Sequence, residues 1–292
     1  MTVLITGAGG QLGLATARHF QTRARVVACD RKRLDLTDSD AVRRLVGEVR
    51  PDTIINCAAH NDVDGAEDRP EPALAVNAWA VRTLARAAAE AGATLVHYST
   101  DFVFDGAARP GPYREEDPPN PRGTYAASKL MGEWFAAAVP RHFILRVESL
   151  FGGSLARSSV DRILDNVLAG RLVRAFADRT VSPSYVEDVA AATAALLDSA
   201  APTGLYHCVN SGWTDWHSLA RHLAELVGCP DAAIVATRLA DAGLRTPRPQ
   251  FAALTNDKLR RIGVRMPSWQ DAVARYVAAR PLAIASAARP VN

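Results

Sequence analysis

The chain has 292 residues, 48% of them hydrophobic and 22% charged, with a formal net charge of +3. That length allows a sizeable core and about two structural units, and the balance is that of an ordinary soluble globular protein. Charges are scattered and Arg31-Lys-Arg33 is the longest basic run, so no nucleic-acid partner is implied. No apolar stretch is long enough to span a bilayer, so no membrane partner is expected either. The first strand starts almost at Met1, without a secretory leader, and a cytoplasmic location fits. Four cysteines (Cys29, Cys57, Cys208, Cys229) lack metal spacing and read as reduced core residues.

Thr2-Val-Leu-Ile-Thr6 reads as the first strand. It runs into Gly7-Ala-Gly-Gly-Gln-Leu-Gly13, and Leu14 to Gln21 follows as a helix. Early glycines in such a turn bring the backbone close to a pyrophosphate, and the last lets helix and strand pack closely. The helix N-terminus offers free N–H groups to phosphate. Strand, glycine turn and helix in direct succession therefore point to a dinucleotide. Arg25 to Asp30 is the second strand. Asp30 at its end suits the ribose hydroxyls of NAD, whereas Arg31, Lys32 and Arg33 suit the 2′-phosphate of NADP, so both coenzymes stay open.

Asp35-Leu36 leads to Thr37-Asp-Ser-Asp40, oxygen-bearing caps before a helix over Val42 to Val49. Pro51 to Ala59 is a strand with small residues at its carboxyl end. His60 to Asp68 is a polar loop and Pro70 to Ala91 a long Ala-rich helix. Thr94 to Ser99 is a strand, with Thr100 and Asp101 at the end where open parallel sheets bind ligands. Phe102 to Pro121 is a long loop of the kind that is often functional; its Glu115-Glu116-Asp117 reads as solvated. Gly123 to Val139 is a helix and His142 to Val147 a strand.

After Phe151-Gly-Gly153 the pattern loosens. Helices are expected over Ser159 to Ala169, Val186 to Leu197, Asp215 to Val227 and Ser268 to Ala279. Strands are expected over Arg171 to Ala177 and Gly204 to Val209. Leu219, His222, Leu223 and Leu226 read as core-facing, and the tail after Pro281 as poorly ordered. The fold class is α/β: a doubly wound parallel sheet with helices on both faces and a smaller, interleaved C-terminal unit. Residues 1–150 would bind dinucleotide, with parts of 178–210 returning to them. Residues 151–177 and 211–292 would form the substrate-binding unit, with the ligand in the cleft between.

Tyr125 and Lys129 are four apart, on one face of their helix. The chain has only three lysines (Lys32, Lys129, Lys258), so a lysine here is a deliberate choice over arginine. A nearby ammonium favours phenolate, which predicts a lowered pKa for Tyr125 and proton exchange with a substrate oxygen near neutral pH. The seven histidines show no pairing at ligand spacing.

These residues resemble the extended short-chain dehydrogenase/reductase family, in its dTDP-4-dehydrorhamnose reductase branch. The resemblance runs from Gly7 to about Val277. It rests on the glycine turn with Gln11-Leu12, on Asn56-Cys-Ala-Ala59, Val63-Asp64 and Asn77, and on Ser99-Thr-Asp-Phe-Val-Phe-Asp-Gly106. It continues in Gly111-Pro-Tyr-Arg-Glu-Glu-Asp117, Tyr125/Lys129, Ser182-Pro-Ser184, Thr214-Asp-Trp216 and Arg248-Pro249. The resemblance implies a Rossmann-type sheet and catalysis by Thr100, Asp101, Tyr125 and Lys129. It implies NAD or NADP held by Gly7, Gly10, Gln11, Leu12, Gly13, Asp30, Arg31, Asp35, Leu36, Cys57, Ala58, Ala59 and Asn77 together with Tyr125 and Lys129. A nucleotide-linked 4-keto-6-deoxy sugar would lie against Val63, Asp64, Phe102, Ser149, Trp216 and Arg248. Reduced nicotinamide would give hydride to C4, and Tyr125 the proton.

Two departures stand out. Val147-Glu148-Ser149 replaces the family's common Thr-Ser-Trp, losing a pocket-lining Trp, and Arg248-Pro-Gln-Phe251 replaces Arg-Pro-Ala-Asn. Some members pair through magnesium held by glutamates; Ala15 stands at one such place and Glu187 at another, and no metal is expected. The resemblance allows a homodimer. Other readings share the same residues: a sugar-nucleotide epimerase or dehydrogenase, or another ketone reductase. A reading of a different class is a coenzyme-binding regulatory partner like the β subunit of methionine adenosyltransferase, which Gly111 to Asp117 also resembles.

Overall fold

The computed structural model describes residues 1–107 and 109–280; the tail after Pro281 lies outside the described residues. In chain order the first half comprises β1 (Thr2–Thr6), α1 (Gln11–Gln21), β2 (Arg25–Cys29), α2 (Ser39–Val49) and β3 (Thr53–Asn56). There follow α3 (Gly65–Asp68), α4 (Pro70–Leu74), α5 (Ala80–Ala91), β4 (Thr94–Thr100), α6 (Thr124–Ala136) and β5 (His142–Val147). The second half comprises β6 (Leu150–Phe151), α7 (Ser159–Leu168), β7 (Val173–Phe176), β8 (Thr180–Val181), β9 (Ser184–Tyr185) and α8 (Val186–Asp198). It closes with β10 (Gly204–His207), β11 (Thr214–Asp215), α9 (Trp216–Leu226), β12 (Ile234–Thr237), α10 (Asp257–Arg261) and α11 (Trp269–Ala279).

The central sheet has six strands in the order β10-β5-β4-β3-β1-β2, all parallel. Strand order reverses between β1 and β3, which makes a crevice at their carboxyl ends. β3 and β4 are buried along their whole length, as befits strands covered on both faces. One core, with α1, α7, α8, α9 and α11 contributing, lies on one side. The other is built from α2, α5 and the end of α6. This is the expected doubly wound Rossmann-type sheet.

Local chemistry sets the boundaries. The Asp38 carboxylate accepts the Asp40 and Ala41 N–H groups at 3.0 and 2.9 Å and starts α2. α5 stops at Gly92, whose φ of +65° suits a left-handed cap. Ser158 and Asp161 cap α7 reciprocally.

Several expectations change. Helix α1 starts at Gln11, inside the glycine turn, with Gly10 at its N-cap and no side chain capping its first N–H groups. The strand expected over Pro51–Ala59 ends at Asn56, freeing Cys57 to Ala59 from the sheet. The helix expected over Pro70–Ala91 carries a π-helical segment at Ala75–Trp79. Glu115 is not solvated: its Oε1 accepts the His207 N–H at 2.9 Å. Leu226 is 38% exposed, being the last residue of α9 and past its buried stripe of Trp216, Leu219, Ala220 and Leu223. Among the described residues no helix is long and apolar enough to cross a membrane.

Candidate active site

The glycine turn and the β3 exit press together at the switch point. Gly7 sits at φ +67°, and a Cβ there would stand 2.5 Å from the Ala58 nitrogen and 2.7 Å from the Cys57 carbonyl carbon. A Cβ on Gly13 would run into the Gly7 carbonyl oxygen. Side chains are thus excluded where the backbone must come close. Beside the turn lies a cleft of about 470 Å³ lined by Gly7, Gly9, Gly10, Asp30 to Lys32, Leu34 to Thr37, and Cys57 to Asn61 with Val76. Its size and polar-apolar mix fit the nucleoside end of NAD(P).

Asp30 does not stand free in this cleft. Its Oδ1 accepts the Lys32 and Arg33 N–H groups at 3.1 and 2.9 Å. Arg33 donates to the Ala28 carbonyl at 2.9 Å. Arg31 and Lys32 remain as exposed cations on the rim. Asp35 is held below the usual carboxylate range by hydrogen bonds from Thr37. Leu36 is buried but still lines the cleft.

Three residues expected at the coenzyme have their side chains engaged elsewhere. Leu12 is turned into the core. Gln11 donates to the Gly152 carbonyl at 2.8 Å, tying the turn to the second half of the chain. Asn77, fully buried in the π-helical segment, exchanges hydrogen bonds with the His60 backbone and donates to Ser128. It braces the β3 exit against α6, and its side-chain atoms are all used in doing so.

α6 brings Tyr125 and Lys129 to the ends of β4 and β5. It is anchored one turn further on by Glu133, which takes a bidentate grip from Arg146 at 2.8 and 2.7 Å and a hydrogen bond from Ser99 at 2.5 Å. The pair is almost wholly buried, and breaking such a pair costs about 3–5 kcal/mol. Lys129, 2% exposed, donates to the Tyr98 carbonyl at 2.6 Å. Burial pulls its ammonium down to about 8, against the opposing charge of Glu133.

The Tyr125 phenol departs from expectation. Burial raises it well above its ordinary value, the Asp101 carboxylate adds to this, and the Thr100 hydroxyl opposes it. Lys129 is not among the groups that act on it; its ammonium is directed at the Tyr98 carbonyl. A raised phenol is the protonated form that a reduction requires. Asp101 is itself pushed up to about 6 by burial, against the charge of Arg179 and the Thr100 hydrogen bond at 3.0 Å.

Phe102 meets Tyr125 edge-on at 5.6 Å, and Val63, Ala66 and Ala73 complete that apolar wall. Arg248 lies 5.9 Å from the Phe102 ring and is held by Asp64 at 2.8 Å. Asp64 also accepts the Thr246 N–H, the main reason its carboxyl lies below the usual range. Arg248, Arg179 and Trp216 line a second cleft of about 390 Å³. So Val63, Asp64, Phe102 and Arg248 converge on Tyr125. Trp216, 8% exposed, packs in the core with only its edge on the cleft. Ser149 stands at φ +45° just past β5. A larger cleft of about 700 Å³, between residues 109–117 and 254–260, holds none of the expected residues.

Sequence reasoning missed Arg179 and passed over Glu133 and Glu148. Glu133 repeats the Tyr125/Lys129 spacing by four more residues, a signal that was available. Arg179 carries no local signal, since only the chain crossing at β8 brings it to Asp101.

The sequence profile of the family described as RmlD substrate binding domain matches residues 1–281. A dTDP-4-dehydrorhamnose reductase of Mycobacterium tuberculosis is 36% identical over 284 residues, covering 95% of this chain and 92% of the relative. The spore coat polysaccharide biosynthesis protein SpsK of Bacillus subtilis is 33% identical over 279 residues, covering 95% and 97%. A crystal structure of dTDP-4-dehydrorhamnose reductase from Bacillus anthracis in complex with NADP superposes with a TM-score of 0.90 at 32% identity, covering 95% of this chain and 98% of that one.

Proposed function

The chain belongs to the RmlD substrate binding domain family, and from that premise we propose that it reduces the C4 ketone of a nucleotide-linked 4-keto-6-deoxy sugar. The coenzyme, when bound, supplies the hydride. What supports the reading most is the meeting of Thr100, Tyr125 and Phe102 with the Asp64–Arg248 pair at the strand ends, beside the dinucleotide cleft. Tyr125 holds a proton at Oη and delivers it to the oxygen that gains charge. Thr100 would turn its single hydroxyl proton from Asp101 Oδ1 to that same oxygen. Lys129 would hold the ribose of the nicotinamide, and Arg248 would orient the sugar nucleotide over Phe102. The Asp64 carboxylate keeps Arg248 in place.

Arg31 and Lys32 favour NADPH over NADH, since both stand exposed on the cleft rim while Asp30 Oδ1 is taken by the backbone of its own turn. Residues 1–150 with the returning β10 serve the coenzyme, and the remainder the substrate. Exposed Trp79 and Trp134 on the α5–α6 side, at 49% and 64%, support pairing of two copies, and a cytoplasmic setting suits the nucleotide-sugar substrate. Loss of reduced-coenzyme absorbance with a dTDP-4-keto-6-deoxy sugar, for NADPH and NADH separately, tests the activity. Intact coenzyme binding with no turnover on any nucleotide-linked 4-keto sugar would overturn it.

A further inference from the structure

Thr100 and Val147 are the last register pair of β4 and β5, so the next residue on each neighbouring strand is an acid, Asp101 and Glu148. They are 3% and 1% exposed. One oxygen of each is engaged: Asp101 Oδ1 accepts from the Thr100 hydroxyl, and Glu148 Oε2 accepts the Ser182 N–H at 2.7 Å. The other oxygens, Asp101 Oδ2 and Glu148 Oε1, have no hydrogen-bond partner among the described residues, nor does Nε of Arg179, the cation that faces both acids. The remaining charged and titratable groups around them are Tyr125 from α6, against Asp101, and Arg248 with its partner Asp64, against Arg179.

Two carboxylates buried on neighbouring strand ends, each with one oxygen unpartnered among the described residues, do not both ionise readily. Asp101 has the Thr100 hydroxyl and its own backbone turn to support a charge. Glu148 has one N–H on Oε2, which leaves Oε1 to bear a proton. Burial, and then the charge of Asp101, push the Glu148 carboxyl well above its usual range.

We propose that Glu148 is a positioning residue that keeps its proton at neutral pH, so that the Glu148–Arg179 set leaves a single carboxylate, Asp101, beside Tyr125. This rests on the reading of Tyr125 as proton donor and adds to it. One anion at Asp101 keeps the phenol loaded with its proton. A second at Glu148 would divide the hold of Arg179 and release Asp101 from its place.

Infrared difference spectra of the full-length protein without substrate, at about pH 8 where Asp101 is ionised, test the protonation directly. The C=O stretch of a protonated carboxylic acid should be present, shift in D₂O, and vanish in Glu148→Gln. Its absence from wild type, or its survival in that variant, would overturn the proposal whatever the substrate proves to be. Glu148→Gln should also recover at least about tenfold of the kcat lost in Glu148→Ala, and leave the acid limb of the kcat–pH profile in place. A downward move of that limb would mean that Glu148 is charged in wild type, and would overturn the proposal. Should Glu148→Gln fail to fold, Arg179→Met serves. It removes the cation whose charge opposes the rise at Asp101 and should move the acid limb upward; an unmoved limb would overturn the proposal. A normal infrared result with no turnover on any 4-keto sugar would sink the proposed function alone.

Discussion

Replacing Tyr125 by Phe removes one oxygen and leaves the ring. That ring is 8% exposed and keeps its wall of Val63, Ala66 and Ala73 and its edge contact with Phe102. Among the described residues the phenol's polar neighbours are the Thr100 hydroxyl and the Asp101 carboxylate, so stability should change by no more than about 1 kcal/mol, and coenzyme binding little. Catalysis should suffer far more. A positioned general acid is worth about 10²–10⁴ in rate, or about 2.7–5.4 kcal/mol at 1.36 per decade. Because the phenol is held above its ordinary value, it is fully protonated at neutral pH. The loss is therefore of the proton itself, and Tyr125 should put no limb into the wild-type profile between pH 6 and about 9. The assay is coenzyme oxidation with saturating 4-keto sugar, paired with fluorescence titration of NADPH and a thermal melt. A kcat within tenfold of wild type would refute the assignment. So would a loss of turnover matched by a loss of coenzyme binding, since the defect would then be structural.

Lys129→Met should lower kcat and weaken coenzyme binding, yet raise the melting temperature at neutral pH. The ammonium is pulled from 10.5 to about 8 in the fold, so its stability contribution is whole above about 10.5 and lost as pH falls through about 8. The variant's gain at pH 7 should be about 2 kcal/mol after loss of the Tyr98 hydrogen bond, shrinking toward pH 10; a destabilised variant at pH 7 would refute this. Gly13→Ala should destabilise by about 2–4 kcal/mol and abolish coenzyme binding, because its Cβ meets the Gly7 carbonyl oxygen; calorimetry with and without NADPH reads both. Arg31→Ala with Lys32→Ala should raise the KM for NADPH about tenfold or more and leave that for NADH nearly unchanged, as loss of charge-assisted contacts would. Equal effects on both coenzymes would show that the 2′-phosphate is not read here.

Much of the sheet was legible because its signals are local. A strand running into Gly7 to Gly13 can turn in few ways, and β1 announces burial on both faces by its apolar Val3-Leu-Ile5 run. Thr100 and Asp101 could be placed by their position at a strand end alone. The second half was harder. β12 pairs with β7 across about 60 residues, and nothing in Ile-Val-Ala-Thr on its own marks a partner. Asn77 shows a different limit. The residue was singled out, but only the π-helical segment that carries it decides that its amide braces His60 and Ser128. Ser182 reaches Glu148 only because β6 and β9 pair, bringing it to the end of β5.

The reversed expectation for Tyr125 shows where spacing stops and packing begins. A separation of four puts phenol and ammonium on one face of α6, but does not say which oxygen the ammonium serves. Here that is the Tyr98 carbonyl, fixed by the Glu133–Arg146–Ser99 anchor one turn beyond. The phenol is left with burial and the Asp101 carboxylate, both of which raise it. A phenol so placed is a weak base and a loaded acid. It suits a reaction in which negative charge appears on a substrate oxygen next to it, and suits less one that must begin by taking a proton from an alcohol. The same carboxylate charge that stiffens Tyr125's hold on its proton therefore biases the site toward reduction, and the neutrality of Glu148 is what keeps that charge single.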